Sequence, residues 1–248
     1  MSLLDYFKRK PEKMESLDLS WLQVDMHSHL IPGIDDGSQT MEESLELIRR
    51  LAGYGLRKII TTPHIMYEYY RNTPEIIGSG LEDLRKAVKN EGIEIEIEAA
   101  AEYYMDEIFL EKIVAGEKLL SFGDNYVLVE TGFINKPQML FDIMFQLEMA
   151  GYKPILAHPE RYQYLIGDKK LFEELVDRNI LLQVNLLSLT GFYSKQVKDF
   201  ADMMLERGVI RFLGTDCHNV RYLDMLETLP KHKHYEKIKN LELLNSSL

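Results

Sequence analysis

The chain has 248 residues, 46% of them hydrophobic and 28% charged, so it holds enough apolar material for one sizeable core and is no disordered polymer. Its 29 Lys and Arg against 40 Asp and Glu leave a formal charge of −11, which argues against nucleic acid or an anionic membrane as the main partner, since phosphates would meet net repulsion. The single cysteine, Cys217, cannot form an internal disulfide, the N-terminus lacks the charge-then-apolar order of a secretory signal, and no run reaches the ~18 apolar residues of a membrane helix; a cytoplasmic protein without membrane insertion is expected.

Residues 1–20 are polar and without a clear period, and read as an appendage to a single domain over 21–248. Seven short runs rich in Ile, Val and Leu follow, at 21–26, 58–62, 93–101, 126–130, 154–157, 181–185 and 210–215. Most are close to unbroken in hydrophobicity, as strands buried on both faces are. The third alternates Ile93, Ile95 and Ile97 with glutamates, so one of its faces is expected to be wet at the start. Helical patterns lie between the runs. Thr40 and Glu43 have capping-box spacing ahead of Leu45, Ile48, Leu51 and Ala52, with Gly53 and Gly55 as the stop. Further amphipathic stretches occupy 75–91, 105–116, 137–150, 169–179 and 194–207, the last closed by Gly208. Seven βα repeats in one domain predict an α/β fold with a parallel sheet, and a chain of this length favours a closed barrel over an open doubly wound sheet. The stretch from Tyr222 onward, with Leu226, Leu229, Ile238, Leu241 and Leu244, reads as a helical tail that packs over the barrel's lower end or mediates self-association into a homo-oligomer.

Six of the seven runs end in a residue able to bind a metal. They lead into Asp25-Met-His27-Ser-His29, Thr61-Thr-Pro-His64, Ala99-Ala-Ala-Glu102, Val127-Leu-Val-Glu130, His158-Pro-Glu-Arg161 and Thr215-Asp216-Cys217-His218; the sixth run alone ends otherwise, in Asn185. In parallel barrels the catalytic groups gather at the carboxyl ends of several strands. Any one of these motifs is weak: a His-x-His pair is often a surface pair, and a lone Glu after a strand is often a helix cap. Together they would crowd many ionisable groups around one rim, which is costly without countercharge. Imidazole plus carboxylate with no thiolate suits Mn, Zn or Fe, and the number of donors exceeds what one ion uses, so two or three ions are expected. Clustered cations of this kind suit phosphate-ester hydrolysis.

These residues resemble the PHP (polymerase and histidinol phosphatase) superfamily, over residues 24–218. Within it, the stretch His29-Leu-Ile-Pro-Gly-Ile-Asp-Asp-Gly37-Ser and His158-Pro-Glu-Arg-Tyr162 are similar to bacterial protein-tyrosine phosphatases that act on the tyrosine kinases of capsule and exopolysaccharide biosynthesis. The resemblance implies a distorted (β/α)7 barrel of TIM-like form and a three-metal centre, with manganese the foremost ion. Carried over by motif, one ion takes His27, His29, Glu102 and Asp216; a second shares Glu102 and adds Glu130 and His158; a third takes Asp36, His64 and His218. Asp35 competes with Asp36, which is preferred because it stands directly before Gly37.

The implied reaction is attack of a metal-bound hydroxide on phosphotyrosine in a protein, in line and without a phosphoenzyme. Arg161 is the candidate phosphoryl clamp, since a guanidinium meets two phosphate oxygens at once; its alternative is an ion pair with Glu160. Arg221 is a second candidate, in an uncertain register. Cys217 lacks the Cys-x5-Arg spacing of thiol-dependent tyrosine phosphatases and reads as a packed residue. Tyr67, Tyr69 and Tyr70 beside Arg71, just after His64, either line a phosphotyrosine groove or are half-exposed helix packing. The rival readings are a small-molecule phosphatase of the histidinol-phosphate type and a non-catalytic metal-binding regulator.

Overall fold

A computed structural model describes residues 16–248. Nine short strands and ten helices follow one another as β1 (Val24–Asp25), α1 (Met41–Gly53), β2 (Lys58–Thr61), β3 (His64–Ile65), α2 (Pro74–Asn90), β4 (Glu96–Ala99), β5 (Glu102–Tyr104), α3 (Glu107–Val114), β6 (Tyr126–Glu130), α4 (Leu140–Met149), β7 (Lys153–Ala157), α5 (Gln163–Gly167), α6 (Lys169–Asp177), β8 (Leu181–Asn185), α7 (Leu186–Thr190), α8 (Lys195–Arg207), β9 (Phe212–Gly214), α9 (Val220–Leu226) and α10 (Tyr235–Lys239). The second and third apolar runs are each broken once, near Pro63 and near Ala100. Each therefore enters both sheets, β1-β2-β4 and β3-β5-β6-β7-β8-β9. Every strand pairing is parallel, and pairing carries across the breaks, Thr61 with Ala99 and then His64 with Glu102. The seven runs thus lie side by side in chain order, the seven-unit barrel that the βα repeat favours, with the distortion that the resemblance implies.

The helices begin where the sequence signals them. Thr40 accepts from the Glu43 N–H at the start of α1, while the Glu43 carboxylate reaches back to the Gln39 N–H, one residue before the usual capping-box partner. Thr73, Asp106, Asp168 and Ser194 cap α2, α3, α6 and α8 in the same way. Their apolar faces, among them Leu47, Leu84, Ile143 and Leu205, build the larger part of the core between the helices and the outside of the barrel. Leu17 and Leu19, inside the stretch expected to be an appendage, are buried in that core, and residues 1–15 of that stretch lie outside the described residues.

The inside of the barrel is layered. Side chains along a strand alternate between faces, so residues two apart share the interior. A lower apolar layer contains Ile60, Ala100, Tyr126, Leu128, Ile155 and Phe212. The same parity, read upward, reaches His64, Glu102, Glu130 and Asp216, so the strands that build the apolar floor lift these polar groups to the carboxyl mouth.

Closure depends on the seam between β1 and β9, which do not pair as regular strands. At the mouth, the Asp216 N–H donates to the His27 carbonyl (2.7 Å) and the His29 N–H to the Cys217 carbonyl (2.9 Å). Midway, the buried Asp25 carboxylate accepts from the Thr215 N–H (2.9 Å) and hydroxyl (2.6 Å); burial pushes its pKa up to about 6 against the lowering effect of these bonds. At the bottom, Asn245 from the tail acts as a surrogate strand residue. Its Nδ2 donates to the carbonyls of Val24 (2.9 Å) and Leu213 (2.7 Å), and its Oδ1 accepts from the Leu213 N–H (3.0 Å). Leu244 and Leu248 pack beside it on the barrel floor, so this part of the tail covers the lower end. Asn245→Ala would leave three buried backbone groups without partners, and we expect it to lower the unfolding free energy by about 3 kcal/mol, read from denaturant midpoints.

Candidate metal centre

The seam places the first and last motifs against each other at the mouth. His27 Nε2 lies 3.3 Å from Asp216 Oδ1 and 3.2 Å from Glu102 Oε2; His29 Nε2 lies 3.5 Å and 3.4 Å from the same two oxygens. His158 Nε2 is 3.0 Å from Glu102 Oε1. His64 Nδ1 is 3.3 Å from Glu102 Oε2 and 2.9 Å from Glu130 Oε1, and its Nε2 is 3.3 Å from Asp36 Oδ1, which His218 Nε2 also approaches at 3.6 Å. All nine residues singled out as ligands therefore meet at one centre. Their donor atoms form four overlapping groups: His29, Asp36, His64 and His218; His27, His29 and Asp216; His27, Glu102 and His158; His64, Glu102 and Glu130. The division implied by the resemblance differs: it keeps His29 with His27, Glu102 and Asp216 and His64 with Asp36 and His218, whereas here His29 also joins the Asp36 group and His64 also joins Glu102 and Glu130.

The loop after β1 brings two of these residues into place. A Cβ on Gly37 would stand 2.2 Å from the His29 carbonyl oxygen, so only glycine lets residues 29–38 fold back this closely. That turn separates the two adjacent aspartates. Asp35 is buried behind His29, its Oδ2 2.8 Å from His29 Nδ1 and 3.1 Å from the His64 N–H, whereas the half-exposed Asp36 faces the mouth. The neighbour of Asp36 is thus an orienting group for His29.

The donors suit a cation on evidence internal to the site. Glu102 Oε2, Glu130 Oε1 and His64 Nδ1 are fully buried with no hydrogen-bond partner, although His64 Nδ1 lies 3.3 Å and 2.9 Å from the two oxygens; the contacts are close but misaligned for hydrogen bonding. Lone pairs converging in this way fit a shared metal ion better than a polar network. The charges agree. Burial alone would raise Glu102 and Asp216, yet the surrounding histidines, His27 foremost, hold both well below the usual carboxylate range. Burial likewise works against protonated His27 and His29, but Glu102, Asp216 and Asp35 outweigh it and raise both imidazoles. His64 rises to about 10: burial and His29 oppose its charge, and Glu102, Asp36 and Glu130 prevail. Protons are the countercharge of the cage when no cation is there, and a divalent ion would displace them.

Above this floor is a cavity of about 290 Å³. Met66, Tyr70, Tyr104, Phe133 and Tyr222 contribute to its walls, and Arg161 stands at its side. The guanidinium of Arg161 lies between the rings of Phe133 (4.5 Å) and Tyr193 (4.3 Å) and donates to Asp216 Oδ2 at 2.9 Å. The alternative pairing with Glu160 is not formed; that carboxylate turns away to the Ser188 hydroxyl (2.6 Å) and the Asn185 N–H (3.0 Å). Arg221 is exposed on α9 over the Phe192 ring and does not line the cavity. Of the tyrosine group, Tyr70 stacks on His64 while Tyr67 and Tyr69 point to solvent. Cys217 is buried, and burial pushes its thiol well above the ordinary range. Two buried polar residues that touch the candidate ligands were not among those singled out, Gln183 and Asn185 on β8. Their signal was the polar, inward parity within Leu181-Leu-Gln-Val-Asn185.

Residues 23–238 match the family of capsular polysaccharide synthesis proteins CpsB/CapC. The tyrosine-protein phosphatase YwqE of Bacillus subtilis is 32% identical over 200 residues, covering 80% of this chain and 78% of its own. The tyrosine-protein phosphatase CpsB of Streptococcus pneumoniae is 28% identical over 202 residues, covering 79% and 83%. A crystal structure from a study of those two proteins, described there as unique metal-dependent tyrosine phosphatases, superposes with a TM-score of 0.77 at 28% identity, over 87% of this chain and 89% of that one.

Proposed function

Because the chain belongs to the CpsB/CapC family, we propose that it is a metal-dependent phosphoesterase that hydrolyses phosphotyrosine in proteins, its substrate a bacterial tyrosine kinase of capsule or exopolysaccharide biosynthesis. The observation that carries this reading is the cavity itself: a floor of nine imidazole and carboxylate groups, an arginine beside it, and walls of aromatic side chains. A phosphoryl group fits the floor, and an aryl ring fits the walls. A serine ester would leave those rings without a partner. His27, His29, Asp36, His64, Glu102, Glu130, His158, Asp216 and His218 would hold the ions, three in number and manganese by preference, with iron or zinc as the other candidates. Bound there, divalent cations lower the pKa of water toward neutrality and neutralise the charge on phosphoryl oxygens.

The chain's own groups do the rest. Arg161 offers a planar fork to two phosphoryl oxygens, and the rings of Phe133 and Tyr193 keep that fork from swinging into solvent. Tyr70 and Phe133 provide faces for the tyrosine ring. The leaving phenolate is a moderately good leaving group, so the site needs no strong protein acid. A covalent route through Cys217 finds no support, since its sulfur is buried in the core with its thiol form favoured. Cys217→Ser should keep kcat/KM within about threefold, well short of the ~100-fold that losing a catalytic group costs; a loss on that larger scale would overturn the reading. The buried free thiol suits a cytoplasmic setting, and among the described residues no helix is long and apolar enough to cross a membrane.

The decisive test strips the protein of metal, reloads it with manganese, and compares kcat/KM on a phosphotyrosine peptide, a phosphoserine peptide and histidinol phosphate. Selective turnover of the first is expected. Preference for histidinol phosphate would move the chain to small-molecule chemistry, and metal uptake without turnover of any ester would make it a binding protein.

A further inference from the structure

β8 forms the one apolar run that leads into no candidate ligand, yet its two inward polar residues touch three of the candidate ligands, His27, His158 and Asp216. Gln183 Oε1 lies 2.9 Å from His27 Nδ1 and 3.3 Å from the His158 N–H. Gln183 Nε2 donates to Asn185 Oδ1 at 2.9 Å, and Asn185 Nδ2 donates to Asp216 Oδ2 at 2.7 Å. Both side chains are fully buried.

The direction of every bond in this chain follows from its end. A carboxylate oxygen only accepts, so the Asn185 group facing Asp216 is the amide nitrogen. Its oxygen then faces Gln183, which must present nitrogen there and oxygen at the other end. The His158 backbone N–H, which can only donate, demands the same orientation. With an acceptor fixed 2.9 Å away, His27 Nδ1 must carry the proton. Its Nε2 is left facing Glu102, Asp216 and His29.

We infer that Gln183 is a positioning residue that fixes His27 in the Nδ1–H form, so that its Nε2 lone pair is aimed into the metal centre. This rests on the phosphatase reading above. The strand next to β8 makes room for the device: a Cβ on Gly214 would come within 2.7 Å of the His27 Cβ and 3.0 Å of Gln183 Nε2. The far end of the relay matters as well. Asn185 and Arg161 together occupy Asp216 Oδ2, which leaves Oδ1 as the oxygen turned toward His27 and His29. His29 receives the equivalent service from Asp35, and His218 Nδ1 donates to the Asp216 carbonyl at 2.8 Å. Three histidines are thereby oriented by three different kinds of acceptor, an amide, a carboxylate and a backbone carbonyl. Such outer partners of metal-binding histidines usually set the tautomer, and losing one costs about 10–100-fold in metal affinity.

The test uses the full chain, stripped and titrated with Mn²⁺, with free Mn²⁺ followed by electron paramagnetic resonance. Gln183→Met keeps the volume and removes the acceptor; it should weaken Mn²⁺ binding about 10–100-fold in a protein whose circular dichroism shows the metal-free variant still folded. Gln183→Glu keeps an acceptor at Nδ1 but loses the donor to Asn185, and should bind Mn²⁺ more tightly than Gln183→Met. A second measurement needs no variant: in wild-type protein labelled with ¹⁵N-histidine and loaded with diamagnetic Zn²⁺, the His27 proton is expected on Nδ1. Mn²⁺ binding by Gln183→Met as tight as wild type, or a proton found on Nε2, overturns the positioning role while a wild-type protein that binds Mn²⁺ and hydrolyses phosphotyrosine leaves the phosphatase reading standing. A wild-type protein that takes up no divalent ion overturns both.

Discussion

Glu102→Gln should lower kcat/KM on a phosphotyrosine peptide by ~10³-fold, at the upper end of what removing one electrostatic stabiliser costs, and the purified variant should hold less metal than wild type. The expectation follows from position. Among the described residues Glu102 is the one carboxylate within 3.5 Å of four histidines, His27, His29, His64 and His158, and its donor atoms belong to two of the four groups at the centre. Glutamine preserves shape but removes a negative charge from a fully buried position, and it turns one acceptor into an N–H donor facing imidazole nitrogens that also seek acceptors. Metal content by elemental analysis and kinetics on the same sample check this. A variant that keeps its full metal complement and more than a tenth of wild-type turnover would show that Glu102 is no bridging group.

Arg161→Ala should cost ~10²-fold or more in kcat/KM with metal content unchanged, which separates a group that holds substrate from groups that hold ions. Arg161→Lys should recover little of the loss. Lysine carries the charge, but it lacks the fork that spans two phosphoryl oxygens and the flat face that fits between Phe133 and Tyr193. The loss should be shared by phosphotyrosine peptide and a small aryl phosphate, because the phosphoryl group is common to both. If the alanine variant lost its metal instead, the contact with Asp216 Oδ2 would be the main purpose of Arg161.

Much of the barrel was legible from local pattern. Unbroken apolar runs alternating with capped amphipathic stretches are a near-neighbour property, and they predicted seven strand units in chain order. The break of the second and third runs into β2/β3 and β4/β5 was less visible, because the segments continue the same parity through Pro63 and Ala100. The short helices α5 and α7 also went unmarked, being five residues each and too brief to show a period.

The rim of histidines and carboxylates was likewise readable one strand end at a time, because a parallel barrel sends the carboxyl ends of all its strands to one mouth. Strand ends offered eight of the nine groups and the arginine that accompanies them, and the family resemblance added Asp36 and the division into a ligand set. They could not say that Asp35 turns inward to His29 while Asp36 faces the mouth, since adjacent residues differ only in the direction a folded turn gives them. Nor could they place Arg161 against Asp216 in preference to Glu160, send Arg221 out to the surface, or link Gln183 to a histidine 156 positions away. Those outcomes depend on closing the seam between the first strand and the last, where bonds from Thr215 and Asn245 set two distant segments in one register. Local sequence determines which face of an element is apolar and which residues stand at its end; which of those residues touch is decided only when the ring closes.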